Sequence, residues 1–374
     1  MMMKEKSFAE IVYRLPGEST CVRLSSASAP VPLMSCEELG RRHGFVFAPF
    51  KPSSSHPVWL VVPDKTEVFP QDSLALSVNN FPLVPTCSDE REVYAVDFAN
   101  FHAHILSGEY DKMVLARCSH MRVEGVEVDT CSLARQLFAR ACRLYPRLFV
   151  ALVSMPQTGT WLMATPEILL DGQGEQLRTI ALAGTMPLDE RLLDLPVEKV
   201  WTEKNLMEQE YVSTYIAKQV ERFSSDFNAS GPYTTKAAGL MHLRTDFNFS
   251  LSSGESLGSV LSALHPTPAV CGMPKEGVER FIMDNESFHR QYYSGFLGML
   301  SPEQDTHLYV SLRCMRLLDN GMVNFYAGGG LLADSVEEDE WCETEAKMQT
   351  MKALFESPIG ILRSAVTGQT QNNQ

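Results

Sequence analysis

Strand-like apolar segments crowd the middle of this chain, too closely spaced for a crossover helix between most of them. KMVLARCSHMRV (112–123), RLFVALVSM (147–155), TWLMATPEILL (160–170) and LRTIALAGTMP (177–187) follow in quick succession. Runs of this kind, rich in β-branched and apolar residues, are strand signals. Parallel neighbours need a crossover of a dozen or more residues, whereas antiparallel ones need only a turn. Antiparallel pairing is therefore the expectation. It is repeated by HLYVSLRCMRLL (307–318) and MVNFYAGGGLL (322–332).

Helical signals separate the groups of strands. FANFHAHILSG (98–108) ends in glycine. TCSLARQLFARACRLY (130–145) has apolar positions three to four apart, and EKNLMEQEYVSTYIAKQVERF (203–223) is a longer candidate. The combination predicts an α/β chain of the α+β type, with mainly antiparallel sheets and helices on the outside. GFVFAPF (44–50) and VWLVVP (58–63), set between Pro and Ser clusters, are expected to complete the sheets from the first ninety-five residues. No linker or internal repeat divides the chain, so one domain over 1–374 is expected. Its polar end, residues 365–374, is expected to fray.

A net charge of -14 argues against a nucleic-acid partner, which selects basic patches. A small molecule fits better, and an anionic one would need a local device to reverse the field, such as a divalent cation. Nine cysteines without a CxxC pair suggest reduced thiols, not disulfides or zinc. The opening residues have no signal-peptide core, and no run approaches about 18 apolar residues. A cytoplasmic protein without a membrane partner is expected, most simply a monomer, with a weak dimer as the alternative.

Several residues admit both a chemical and a bland reading. In EWCETEAK, Glu340, Glu343 and Lys347 share one helix face, while Glu345 points elsewhere. The pair of acids can hold Mg²⁺ or merely start a helix, with a Glu343–Lys347 ion pair. Glu208 lies at the edge of an apolar face marked by Met207, Tyr211, Val212 and Tyr215. Glu167, in TWLMATPEILL, faces solvent if strand alternation puts it there. If it faces inward, burial raises its pKa and suits it to general-acid work. Lys112, at a strand entrance, is a surface residue unless desolvated. Gly328, Gly329 and Gly330 form either a flexible loop or a close backbone approach, and match no dinucleotide or P-loop pattern. Thr267, in LHPTPAVCG, could face a ligand or simply sit in a turn. The glycine of ALAGT could admit a substrate.

The order of these pieces resembles one family. Lys112, PEILL, ALAGT, EKNLMEQEYV, LHPTPAVCG, SLRCMR, FYAGGGL and EWCETEAK follow the pattern of chorismate-utilising enzymes, over roughly residues 96–355. The family includes isochorismate, salicylate, anthranilate and aminodeoxychorismate synthases. The resemblance implies an anthranilate-synthase component I-like fold and chorismate as substrate. It makes Lys112 the base that activates water and Glu167 the acid. Glu208 and Glu343 become Mg²⁺ ligands, with Glu340 beside them. Gly184, His242, Thr267, Ala269, Val270, Tyr293, Arg313, Tyr326, Gly328 and Lys347 become substrate-binding. The chain departs from the pattern at Asn205, where many relatives have an acid, and at Gln209, where many have histidine. Lys112, and the run after Glu208, favour an isochorismate synthase of the menaquinone or siderophore type. A salicylate synthase, or an inactive relative that only binds a partner, are the alternatives.

Overall fold

The computed structural model describes residues 8–76, 79–124 and 129–356. The expected fraying of residues 365–374 lies outside them. Strands β1 (Ala9–Arg14), β2 (Thr20–Ser26), β3 (Val31–Leu33), β4 (Gly44–Ala48), β5 (Val58–Val61), β6 (Lys65–Pro70) and β7 (Leu83–Pro85) come first. Helix α1 (Glu90–Leu106), β8 (Lys112–Val123) and α2 (Thr130–Leu144) lead into β9 (Phe149–Met155), β10 (Gly159–Thr165), β11 (Ile168–Gln173) and β12 (Gln176–Pro187). Next are α3 (Val197–Val200), α4 (Glu203–Val220), β13 (Phe227–Ala237), β14 (Leu240–Ser250), α5 (Leu257–Leu264), β15 (Gly272–Met273) and α6 (Lys275–Asn285). The chain continues through β16 (Phe296–Leu300), β17 (Asp305–Val310), β18 (Cys314–Leu317), β19 (Met322–Leu331) and α7 (Glu337–Lys352).

Two antiparallel sheets result, as the hairpin spacing predicts. The first runs β15-β8-β19-β18-β10-β9-β1-β2-β6, with β7 also on β8; the second runs β13-β14-β12-β11-β17-β16-β4-β5-β3. The N-terminal strands enter both, β1 beside β9 and β4 beside β16.

Strand parity explains the layers. In β4, Phe45 and Phe47 join Phe149, Val153, Trp161 and Tyr309 in a core between the sheets. Val46 and Ala48 point the other way, toward Ile216 of α4 and Leu261 of α5. Likewise Val150 and Leu152 of β9 face Leu137 and Phe138 of α2. Helices on the outer faces bury these strands on both sides, which is why they read as continuous apolar runs although the sheets are antiparallel. Phe149 and Tyr309 stack across the interface with centroids 4.3 Å apart. Each such side chain contributes about 1.5–3 kcal/mol through burial. Among the described residues no helix is long and apolar enough to cross a membrane.

Candidate active site

Where strands change sheets, the site forms. TWLMATPEILL is not one strand: Pro166 lacks an N–H for the ladder, and the chain leaves β10 of the first sheet for β11 of the second. Glu167 sits at that crossing, 3% exposed. HLYVSLRCMRLL divides in the same way, β17 in the second sheet and β18 in the first. Arg313 lies between them with φ +44°. The crossings are tied together, since Val310 N–H donates to the Glu167 carbonyl at 2.9 Å and Ala164 N–H to that of Arg313 at 3.0 Å. Strand alternation therefore does not decide where Glu167 points.

Lys112 opens β8 but is fully buried, not a surface residue. The two-residue β15 covers it, Met273 pairing opposite. Its Nζ lies 3.1 Å from Glu208 Oε1. Gly330 makes room for this contact: a Cβ there would lie 2.1 Å from Glu208 Oε1 and 2.9 Å from Lys112 Cε. The glycine triplet is thus no loop. It forms the end of β19, paired residue for residue with Ala116, Leu115 and Val114 of β8.

Helix α4 delivers Glu208. Thr202 caps it, its hydroxyl accepting from Asn205 N–H at 3.3 Å, and its buried stripe is Gln209, Val212, Tyr215, Ile216 and Val220. Met207, expected on that stripe, is 43% exposed. Glu208 Oε2 accepts from Gly184 N–H at 3.3 Å. Gly184 has φ +66° at an irregularity in the β12–β14 register, a conformation that suits glycine. Its carbonyl lies 2.7 Å from His242 Nδ1. A carbonyl only accepts, so Nδ1 carries the proton and Nε2 accepts from the Arg313 guanidinium at 2.9 Å. Burial, then the charge of Arg313, hold His242 well below its ordinary pKa, so it is neutral. Burial also pushes Arg313 down to about 10.

Helix α7 supplies the other acids. Lys347 Nζ donates to Glu343 Oε1 at 2.6 Å and to the Gly328 carbonyl at 2.8 Å. Glu345 turns away to Arg117 and Lys352, as its place on the helix predicts. Glu340 is 1% exposed. A Cβ on Gly329 would lie 2.8 Å from Glu340 Oε2 and 3.7 Å from Glu343 Oε1, so both acids reach β19 at this glycine.

Glu167, Gly184, Glu208, His242, Ala269, Val270, Tyr293, Arg313, Tyr326, Gly328 and Lys347 line a single narrow pocket. Lys112 sits behind Glu208 and Gly330, and Glu340 and Glu343 sit behind Gly329. Thr267 does not line the pocket. It is 2% exposed, and its carbonyl shapes the adjoining turn by accepting from Val270 and Cys271 N–H. A wider groove of about 940 Å³ between β6 and α2 has its titratable side chains on a solvated rim, none of them buried.

Charge is concentrated at the pocket. Burial pushes Glu167 up to about 8, the charges of Lys112, Lys347 and Arg313 offsetting only part of the effect. Burial also acts to raise Glu208, but Lys112, Lys347 and Lys204 outweigh it and hold the carboxyl below its ordinary value. Glu340 is pushed up to about 6 by burial and by the neighbouring Glu343.

Lys204 is the residue that sequence reasoning missed. It pairs with Glu340 Oε1, and the Ser335 hydroxyl donates to the same oxygen at 2.7 Å. One helical turn before Glu208, it lies on the same face of α4, and that spacing was a usable signal. Glu340 Oε2 is buried without a hydrogen-bond partner. Among the described residues no three His, Cys, Asp or Glu side chains converge as a ready cage for a metal ion. Instead each carboxylate has its own ammonium: Glu208 with Lys112, Glu340 with Lys204, Glu343 with Lys347.

A family model described as chorismate binding enzyme matches residues 72–356. The isochorismate synthase EntC of Escherichia coli K12 is 28% identical over 320 residues, covering 83% of this chain and 79% of its own length. The solved structure of MenF, the menaquinone-specific isochorismate synthase from Escherichia coli, superposes with a TM-score of 0.79 at 21% identity, covering 94% of this chain and 90% of that one. Anthranilate synthase component I from Streptococcus pneumoniae gives 0.67 at 16% identity, covering 94% and 93%. The two structures establish a shared fold, that of anthranilate synthase component I.

Proposed function

The chain belongs to the family of chorismate-binding enzymes, and from that premise we propose that it converts chorismate to isochorismate with the help of Mg²⁺. The observation that carries this reading is the buried Glu167, which keeps its proton near neutrality at a pocket flanked by Lys112, Lys347 and Arg313. Lys112, which pairs with Glu208 as an ammonium, must first give up a proton; water then adds at C2 of the ring as the uncharged amine takes the water's proton. The ring double bond shifts, and the C4 hydroxyl leaves with the proton of Glu167. Water in and water out balance, so the reaction is an isomerisation. Arg313, oriented by neutral His242, and Lys347 bind the substrate's carboxylates. Tyr293, Tyr326, Ala269 and Val270 shape the wall against the ring, and Gly184 and Gly328 let the backbone approach it.

Glu208 and Glu343, with Glu340 beside them, form the donor set for the metal. Their hard carboxylate oxygens suit Mg²⁺, and Glu340 Oε2 lacks a protein partner. Mg²⁺ commonly takes only one or two carboxylates and fills its shell with water and substrate oxygens. The absence of a ready three-residue cage is compatible with that habit. When bound, the ion would neutralise the ring carboxylate and draw electron density from the conjugated ring. The isochorismate synthases among the relatives support the choice of product and a place in menaquinone or siderophore synthesis.

Incubation with chorismate and Mg²⁺, followed by chromatography, tests the reading. Isochorismate that accumulates only with the metal is expected. Salicylate and pyruvate would instead assign a salicylate synthase, and unchanged chorismate an inactive relative.

A further inference from the structure

Three ammonium groups neutralise the three carboxylates of the proposed metal site, and two of them already serve the proposed reaction. Lys112, once it has given up its proton, stands as its base, and Lys347 faces the pocket where the carboxylates would bind. Lys204 has no such task. It reaches from the first turn of α4 to Glu340 on α7, 136 residues further along the chain. Its pair leaves the second Glu340 oxygen buried and bare. Lys112 is sealed within the fold at 0% side-chain exposure, whereas Lys204 keeps 22%. Of these two, Lys204 is the ammonium with an open way to solvent.

We infer that Lys204 is an internal counter-cation that competes with the divalent ion for Glu340 and thereby sets the metal affinity of the site. The inference rests on the Mg²⁺ reading above. A cation entering beside Glu208, Glu340 and Glu343 meets the repulsion of a lysine already paired there, and binding must displace or tolerate it. Removing that charge removes the competitor. It also leaves Glu340 with only the Ser335 hydroxyl, so the metal-free protein loses stability.

The test is calorimetric titration of the substrate-free full chain with MgCl₂, with thermal unfolding recorded at each metal concentration. Lys204→Met should bind Mg²⁺ at least about tenfold more tightly than the wild type. It should melt lower without metal and gain more from saturating metal. Lys204→Arg, which keeps the charge, should stay near wild-type affinity. Should Lys204→Met not fold, Lys204→Gln carries the same expectation. Equal or weaker binding by a folded, uncharged variant overturns the inference and leaves the metal reading intact. No Mg²⁺ binding by any of the proteins overturns both.

Discussion

Glu167 is held in two ways at once. Its carbonyl is fixed by the hydrogen bond that ties the two sheet crossings together, and burial moves its carboxyl from 4.5 up to about 8. The unfolded chain ionises this group near pH 4.5 while the native chain keeps the proton. The native state therefore binds more protons between those values, and this group's contribution to stability falls as pH rises through that window. Glu167→Gln should flatten the decline: calorimetric melting between pH 5 and 8 should show a shallower loss than in the wild type. Parallel curves would show that the carboxyl does not titrate as its burial requires. In the proposed reaction the same variant should lose roughly 10²-fold or more in turnover. Glu167 could be singled out in its apolar segment from sequence alone, but its direction could not. Alternation applies to a residue inside a strand, and this one lies between strands.

β19 shows how much an element can hide behind a legible composition. Three consecutive glycines announce either a loop or a close approach. The structure chooses a strand whose adjacent glycines make room for different side chains, Gly330 for Glu208 and Lys112, Gly329 for Glu340 and Glu343. Gly330→Ala should therefore push apart the Glu208–Lys112 pair. The displaced atoms are the ends of side chains rather than backbone, so the fold should survive. Turnover should fall at least about 10²-fold, as misplaced reacting groups commonly cause, with the circular-dichroism spectrum unchanged. Near-normal turnover would mean that Glu208 and Lys112 can be moved without consequence. α2 and β8 were legible nearly to their ends, α2 because its apolar residues recur three to four apart and β8 because an apolar run opens it. α1 starts at Glu90, eight residues before the expected Phe98. Its first turns carry charges that mask the apolar stripe.

Across the whole molecule the pocket depends on segments that share no local pattern. Arg290 and Glu286 form an ion pair at 2.6 Å, with side-chain exposures of 2% and 1%. Arg290 also donates to the carbonyls of Val270, on the pocket wall, and Val114, on the strand that carries Lys112. The Ala116 N–H donates to Glu286 at 2.8 Å. Removing one partner of such a buried pair strands the other charge. Arg290→Met should lower the free energy of unfolding by about 3–5 kcal/mol, measured by denaturant titration. A loss below about 1 kcal/mol, the scale of a surface pair, would mean that the clamp is not structural. The N-terminal strands belong to this scale too. They bear no family motif, yet lie within both sheets.

The central strands, the longer helices, antiparallel pairing and the ordered set of chemical residues were determined by the sequence alone. Periodicity, turn residues and short motifs act over a few neighbouring positions and can be read there. Only the tertiary structure decided that two apparent strands break to cross between sheets, burying Glu167 and Arg313 at the seam. It also decided that Lys112 and Lys204 each take a carboxylate from a distant segment, and that Thr267 stays out of the pocket. Such contacts join segments as much as 136 residues apart. They are set by how layers pack and how buried charges find partners, and no local stretch of sequence records either.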